Sequence, residues 1–168
     1  YYRGRSHDVL DAEDCLLQPE QVTAARRAFK EWMERFQIPP YQERDRSGLV
    51  RHLYVRTNQR GEALCCVVVN GRSLPHVSEL TEALCGAVPS LVGIVVNSNT
   101  ADTNVILGPE YHTIWGQNFL EEQLCGRRFR LSVPSFFQIN RAQTERLYEK
   151  TAEFAALTGN ETVLDLYC

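Results

Sequence analysis

Ala63-Leu64-Cys65-Cys66-Val67-Val68-Val69 is apolar throughout and is stopped by Asn70-Gly71. An unbroken apolar run of that length reads as a central strand, covered on both faces. Upstream, Leu49 to Thr57 leads through the turn Asn58-Gln59-Arg60-Gly61 into this run, which predicts a β-hairpin. Downstream, His76 to Ala87 reads as a helix with Val77, Leu80 and Leu84 on one side, and Leu91 to Val96 as a third buried strand. The order strand, strand, helix, strand predicts an α+β fold, a mainly antiparallel sheet with helices packed on one face.

The ends of the chain follow from helical periodicity and its stop signals. Between Pro19 and Phe36, Val22, Ala25, Phe29, Trp32 and Phe36 recur at three- and four-residue steps, and Pro39-Pro40 closes the segment. Beyond the third strand comes a polar stretch, 97–104, followed by short strand candidates around Val105–Leu107, Thr113–Trp115 and Arg128–Val133. A last helix is marked by Asn140 as its cap, Gln143 at the capping-box position and Gly159 as its stop. The apolar run Val163 to Tyr167 then reads as a strand that begins an α/β domain. The absence of an initiator Met and the close at Cys168, directly after this run, suggest a piece of a longer protein.

Composition excludes several classes. The chain has 168 residues, 43% of them hydrophobic, with a net charge of -3, too apolar for a disordered tail. No run approaches the roughly 18 apolar residues of a membrane span, and the opening Tyr1-Tyr2-Arg3-Gly4-Arg5 leads to no apolar core of a signal peptide. Residues 1–60 carry eleven Lys and Arg against nine Asp and Glu, residues 61–126 one against seven, and residues 127–168 six against five. A pI near 5.8 argues against coating nucleic acid through bulk charge. Sixteen of the basic residues are Arg and two are Lys, a bias that a GC-rich genome accounts for and that also suits phosphate contacts. The six cysteines show no disulfide-framework spacing and no C-x-x-C pair, so a reducing cytoplasm is the expected compartment and a self-contained zinc site is not expected.

Read from the residues alone, no complete active site is present. The histidines at 7, 52, 76 and 112 are scattered, and the acidic cluster Asp8, Asp11, Glu13 and Asp14 reads as a solvated turn. Two segments carry more. In Ser135-Phe136-Phe137-Gln138-Ile139-Asn140, adjacent aromatics and two amides lead into a helix. Aromatics on a loop stack bases and amides hold polar ligand groups, whereas the alternative makes both phenylalanines core plugs and Asn140 only a cap. In the other, Tyr167 and Cys168 leave the carboxyl end of the last strand, where open α/β sheets bind ligands.

Together, Leu131-Ser132-Val133-Pro134-Ser135-Phe136-Phe137-Gln138-Ile139-Asn140, Gln143, Leu147-Tyr148 and Val163-Leu164-Asp165-Leu166-Tyr167-Cys168 resemble the S-adenosylmethionine-dependent RNA (uracil-5-)-methyltransferases. The bacterial 23S rRNA enzymes are the nearest group, and the related tRNA enzymes share the pattern. Weaker matches run from Ser6-His7-Asp8 and Cys15 through Gly48–Leu53 to Gly93–Asn97 and Asn104–Gly108, so the resemblance covers the chain in order.

The resemblance implies a central α+β domain over 1–134 and the start of a Rossmann-like methyltransferase domain over 135–168. It implies an RNA substrate, 23S rRNA before tRNA, and no membrane. In that chemistry a Cys thiolate adds to uracil C6, C5 takes the methyl group, and a base removes the C5 proton from a uridine flipped out of its stack. The nucleophilic Cys and the base lie later in the family's catalytic domain, so the chain by itself is expected to be inactive. By position, Gln138 is assigned to the cofactor's polar groups, Tyr167 to the cofactor wall and Phe136 to the flipped uridine, where stacking is worth roughly 1–3 kcal/mol. Cys15 matches the fourth ligand of a 4Fe–4S cluster that many members hold, its three partners preceding Tyr1; the alternative is a structural cysteine. The competing reading of the whole is a non-catalytic RNA- or protein-binding α+β module. Arg51, Arg56, Arg127, Arg128 and Arg130 are the candidates for facing RNA phosphates.

Overall fold

The computed structural model describes residues 3–5, 10 and 15–166. A helix, α1 (Glu20–Arg35), precedes strands β1 (Val50–Thr57) and β2 (Ala63–Val69). Helix α2 (Val77–Ala87) then leads to β3 (Leu91–Ser98) and β4 (Glu110–Gly116), and the chain continues through β5 (Phe119–Leu124), β6 (Arg127–Ser132) and α3 (Arg141–Ala155). The first four strands form one sheet in the order β1-β2-β3-β4, and β5 and β6 form a separate hairpin.

The apolar run is central, as its composition requires. All seven residues of β2 are buried. Alternation along the strand sends Ala63, Cys65, Val67 and Val69 to one face, where they meet Ala25, Phe29 and Trp32 of α1 and Leu80 and Leu84 of α2. Leu64, Cys66 and Val68 go to the other face, where Leu120 of β5 and Val133 cover them. Each fully buried Val or Leu contributes roughly 1.5–3 kcal/mol of transfer free energy. Burial also pushes the Cys65 and Cys66 thiols up to about 12, which keeps them neutral and inert.

The sheet is mixed. The β1–β2 and β3–β4 pairings are antiparallel, as expected, but β2 and β3 run parallel. The cause is α2, which carries the chain back across the sheet before β3 begins, as a parallel pair needs. The helix face holds as expected, with α1 and α2 packed on the same side. At their junction the Trp32 indole donates to the His76 carbonyl at 3.1 Å, and the Phe36 ring stacks on His76 at 4.2 Å. His76 takes a left-handed conformation (φ 52°), so α2 starts one residue later than its periodicity predicts.

Three expectations are corrected. The predicted strand at Val105–Leu107 is instead part of a non-strand loop between β3 and β4. Its backbone carbonyls are taken by side chains: the Asn99 carboxamide donates to Val105 and Ile106 (2.8 and 3.0 Å), and Arg51 donates to Asn99, Ala101 and Thr103 (2.9, 2.9 and 3.2 Å). Asn97, fully buried, seals the loop's end by donating to Gly108 and Glu110 and accepting from the Gly108 amide at 2.7 Å. Gly108 is required there, because a Cβ would stand 1.9 Å from the Ser98 carbonyl oxygen.

The other two corrections concern the C-terminal segment. Helix α3 ends at Ala155 with Ala156 in the left-handed conformation, not at Gly159. Residues 158–161 form their own turn, in which the Glu161 carboxylate accepts from the Thr158 amide and hydroxyl and the Gly159 amide. The predicted strand from Val163 does not form over 163–166, with Val163, Leu164 and Leu166 exposed; Tyr167 and Cys168 lie outside the described residues. A buried parallel strand exists only against a neighbouring strand, and no other described strand pairs with it.

Candidate functional site

The link between β6 and α3, residues 133–140, carries the aromatic-amide motif. Its start is built into the protein. Val133 is buried against the sheet. The Ser135 amide donates to the Ser132 carbonyl at 3.2 Å, and the two serine hydroxyls lie 2.8 Å apart. The Arg56 guanidinium, from β1, donates through Nη2 to the Ser135 carbonyl. Farther on, Phe137 packs against Phe129 of β6 with ring centroids 5.8 Å apart. At the end of the link the Asn140 side chain accepts from the Gln143 amide at 3.2 Å, the N-cap expected of it.

Between these anchors the residues are free. Phe136 is 82% exposed, and Gln138 and Ile139 are exposed as well. The Gln138 carboxamide has no hydrogen-bond partner among the described residues, so its donors and acceptor are all available to a ligand. The two readings of the motif therefore divide by residue. Phe137 is the packed aromatic, while Phe136 is not a core plug.

The first turn of α3 is held by charge. Arg141 lies 3.8 Å from the largely buried carboxylate of Glu122 on β5 and donates to Glu145 at 3.0 Å. Glu145 also accepts from the Cys125 amide at 3.4 Å, at the tip of the β5–β6 hairpin. Cys125 and Gly126 both have positive φ (47° and 71°), the backbone of a tight two-residue hairpin turn.

The arginines separate into two groups. Arg51 and Arg56, candidates for facing phosphates, are engaged within the protein. Arg51 holds three loop carbonyls and lies 4.5 Å over the Tyr41 ring. Arg56 spans Tyr54 and Ser135, its Nε donating to the Tyr54 hydroxyl at 3.1 Å. Arg127, Arg128 and Arg130 on β6 are exposed, and Arg130 sits 4.7 Å over the Phe119 ring and 3.9 Å from Glu121.

The remaining site candidates are not gathered with the loop. Cys15 is a partly exposed cysteine ahead of α1 that forms no disulfide, and its carbonyl accepts from the Gln18 amide. Among the described residues no group of three or more His, Cys, Asp or Glu is placed to hold a metal ion. Tyr167 lies outside the described residues. Sequence reading missed Ser132, Phe129 and the Glu122–Arg141 pair as supports of the loop. Only the charge at position 141, beside a predicted cap, marked any of them.

With this geometry in view, the chain can be placed among known proteins. No protein-family model matches it. It is 40% identical over 169 residues, all of this chain, to an uncharacterized RNA methyltransferase of Staphylococcus aureus strain COL, and 37% identical over the same length to one of Clostridium tetani. An uncharacterized RNA methyltransferase of Clostridium acetobutylicum is 35% identical. The chain is homologous to RNA methyltransferases and spans 37% of the length of these relatives. Its fold resembles part of the Pyrococcus abyssi tRNA (uracil-54, C5)-methyltransferase, solved in complex with S-adenosyl-L-homocysteine, with a TM-score of 0.75. That likeness covers 90% of this chain and 36% of the other at 22% identity. No helix among the described residues is long and apolar enough to cross a membrane.

Proposed function

We propose that this chain is the central α+β domain, 1–134, and the first segment, 135–168, of the methyltransferase domain of an RNA (uracil-5-)-methyltransferase acting on bacterial 23S rRNA. The observation that carries the proposal is the loop 135–140. It is fixed at Ser135, Phe137 and Asn140 and leaves Phe136 and Gln138 unengaged. S-adenosylmethionine supplies the methyl group when bound. Gln138 holds the cofactor's polar groups through its unpartnered carboxamide, and Phe136 offers a ring on which a flipped uridine stacks. Tyr167 forms part of the cofactor wall. Arg127, Arg128 and Arg130 meet RNA phosphates, a role their exposure on the strand that leads into the loop supports.

For a 4Fe–4S cluster the fit is limited to a single thiol. Cys15 is partly exposed and in no disulfide, but four thiolates are needed. No step of the reading depends on the cluster.

The test is calorimetric titration of the whole protein with S-adenosylmethionine. Gln138→Ala is expected to weaken binding about tenfold, which corresponds to about 1.4 kcal/mol. Unchanged affinity would remove Gln138 from the cofactor site. Phe136→Ala is expected to lower methyl transfer to uridine in rRNA while leaving cofactor affinity within twofold.

A further inference from the structure

We infer that Arg56 is a positioning residue: from the edge strand of the sheet it fixes the backbone of the loop that presents Phe136 and Gln138. The inference rests on the reading of that loop given above. Tyr54 and Arg56 are two residues apart on β1 and therefore share a face. Tyr54 packs against the cluster that contains Leu120 and Val133, so that face is the one the hairpin and the start of the loop help to cover. A guanidinium there has two tasks that its fork geometry suits. Nε donates to the Tyr54 hydroxyl at 3.1 Å, which sets the plane of the group, and Nη2 donates to the Ser135 carbonyl.

The consequence lies in the alternation that follows Ser135. In an extended segment neighbouring side chains leave on opposite sides. Ser135 is partly buried, Phe136 exposed, Phe137 partly buried and Gln138 exposed. Fixing Ser135 by its carbonyl, amide and hydroxyl sets the phase of this pattern, and the Phe129–Phe137 contact keeps it. The two residues that must reach ligand then project from the same side. Arg56 touches neither ligand; it acts through Ser135.

The experiment compares Arg56→Ala, Arg56→Gln, Arg56→Lys and Gln138→Ala in the whole protein by three readouts. These are affinity for S-adenosylmethionine, the rate of chymotryptic cleavage after Phe136 and Phe137, and the thermal midpoint. Arg56→Ala is expected to speed cleavage at least fivefold and to weaken cofactor binding about tenfold, with the midpoint nearly unchanged. Arg56→Lys, which keeps one donor long enough to reach the carbonyl, is expected to restore most of both. If Arg56→Ala does not fold, Arg56→Gln is expected to give the same pattern, since its amide is too short to reach Ser135. Native cleavage rate and native affinity in a folded Arg56 variant, beside a weakened Gln138→Ala, would overturn the inference alone. Should Gln138→Ala bind normally, the reading of the loop fails, and cleavage in the Arg56 variants still decides whether Arg56 holds it.

Discussion

Asn97 shows how much one side chain organises. It is fully buried, donates twice and accepts once, and so closes the ends of a loop that has no strand of its own. A buried polar group that loses its partner is costly, at roughly 1–3 kcal/mol for each one stranded. Asn97→Ala strands the Gly108 amide and the Gly108 and Glu110 carbonyls. The expected loss is about 3 kcal/mol in urea unfolding followed by circular dichroism, and a loss below 0.5 kcal/mol would show that water replaces the carboxamide. Sequence reading placed this residue in a polar stretch and stopped there. Asn is common in turns, and nothing in its spacing reveals a carboxamide turned inward to satisfy backbone groups. Arg51 and Arg56 were read as phosphate-facing for the same reason. Charge is visible in a sequence, but a carbonyl that lacks a partner is not.

At the scale of elements, the C-terminal segment is where periodicity carried least far. The start of α3 was legible, because an Asn with a Gln three residues on has a direct physical meaning as a helix cap. Its end was not. Gly159 and Ala156 both have positive φ, but the helix stops at Ala156, and Gly159 belongs to a separate turn around Glu161. Hydrogen bonds from Thr158, first through its hydroxyl and then through its amide, bring the Glu161 carboxyl down to about 2. A lowered folded-state pKa gives a contribution that is complete above the ordinary glutamate value of 4.5 and lost as pH falls through about 2. Nuclear magnetic resonance titration of the Glu161 carboxyl and the Thr158 amide is expected to show one shared midpoint near 2. A midpoint near 4.5 would dissolve the turn as a defined element.

For the whole molecule, the decisive fact is that the central strand β2 is covered on both faces. Leu120, 1% exposed, ties the β5–β6 hairpin to the face away from the helices. Leu120→Ala is expected to cost roughly 2–5 kcal/mol and to keep a single unfolding transition, since the hairpin and sheet share that core. A separate low-temperature transition would mean that the hairpin melts independently. The β2 run, the hairpin with β1 and the helix face were all legible, because they follow from apolar runs and repeats. β5 was not legible. Phe119-Leu120-Glu121-Glu122-Gln123-Leu124 sets two carboxylates side by side in a short segment, and the partner beside the largely buried Glu122 is Arg141, nineteen positions later.

The strands lie in the sheet in the same order as in the chain, β1-β2-β3-β4, so every pairing joins consecutive strands. Such a sheet can grow one strand at a time as the chain leaves the ribosome, with short closures that favour rapid folding. The bond from Arg56 to Ser135 is different, because it joins residues 79 positions apart. It ties β1 to the segment that follows β6. Opening at either end of this bond frees the Ser135 backbone, and with it the start of the link that carries Phe136 and Gln138, while every strand pairing of the sheet stays intact.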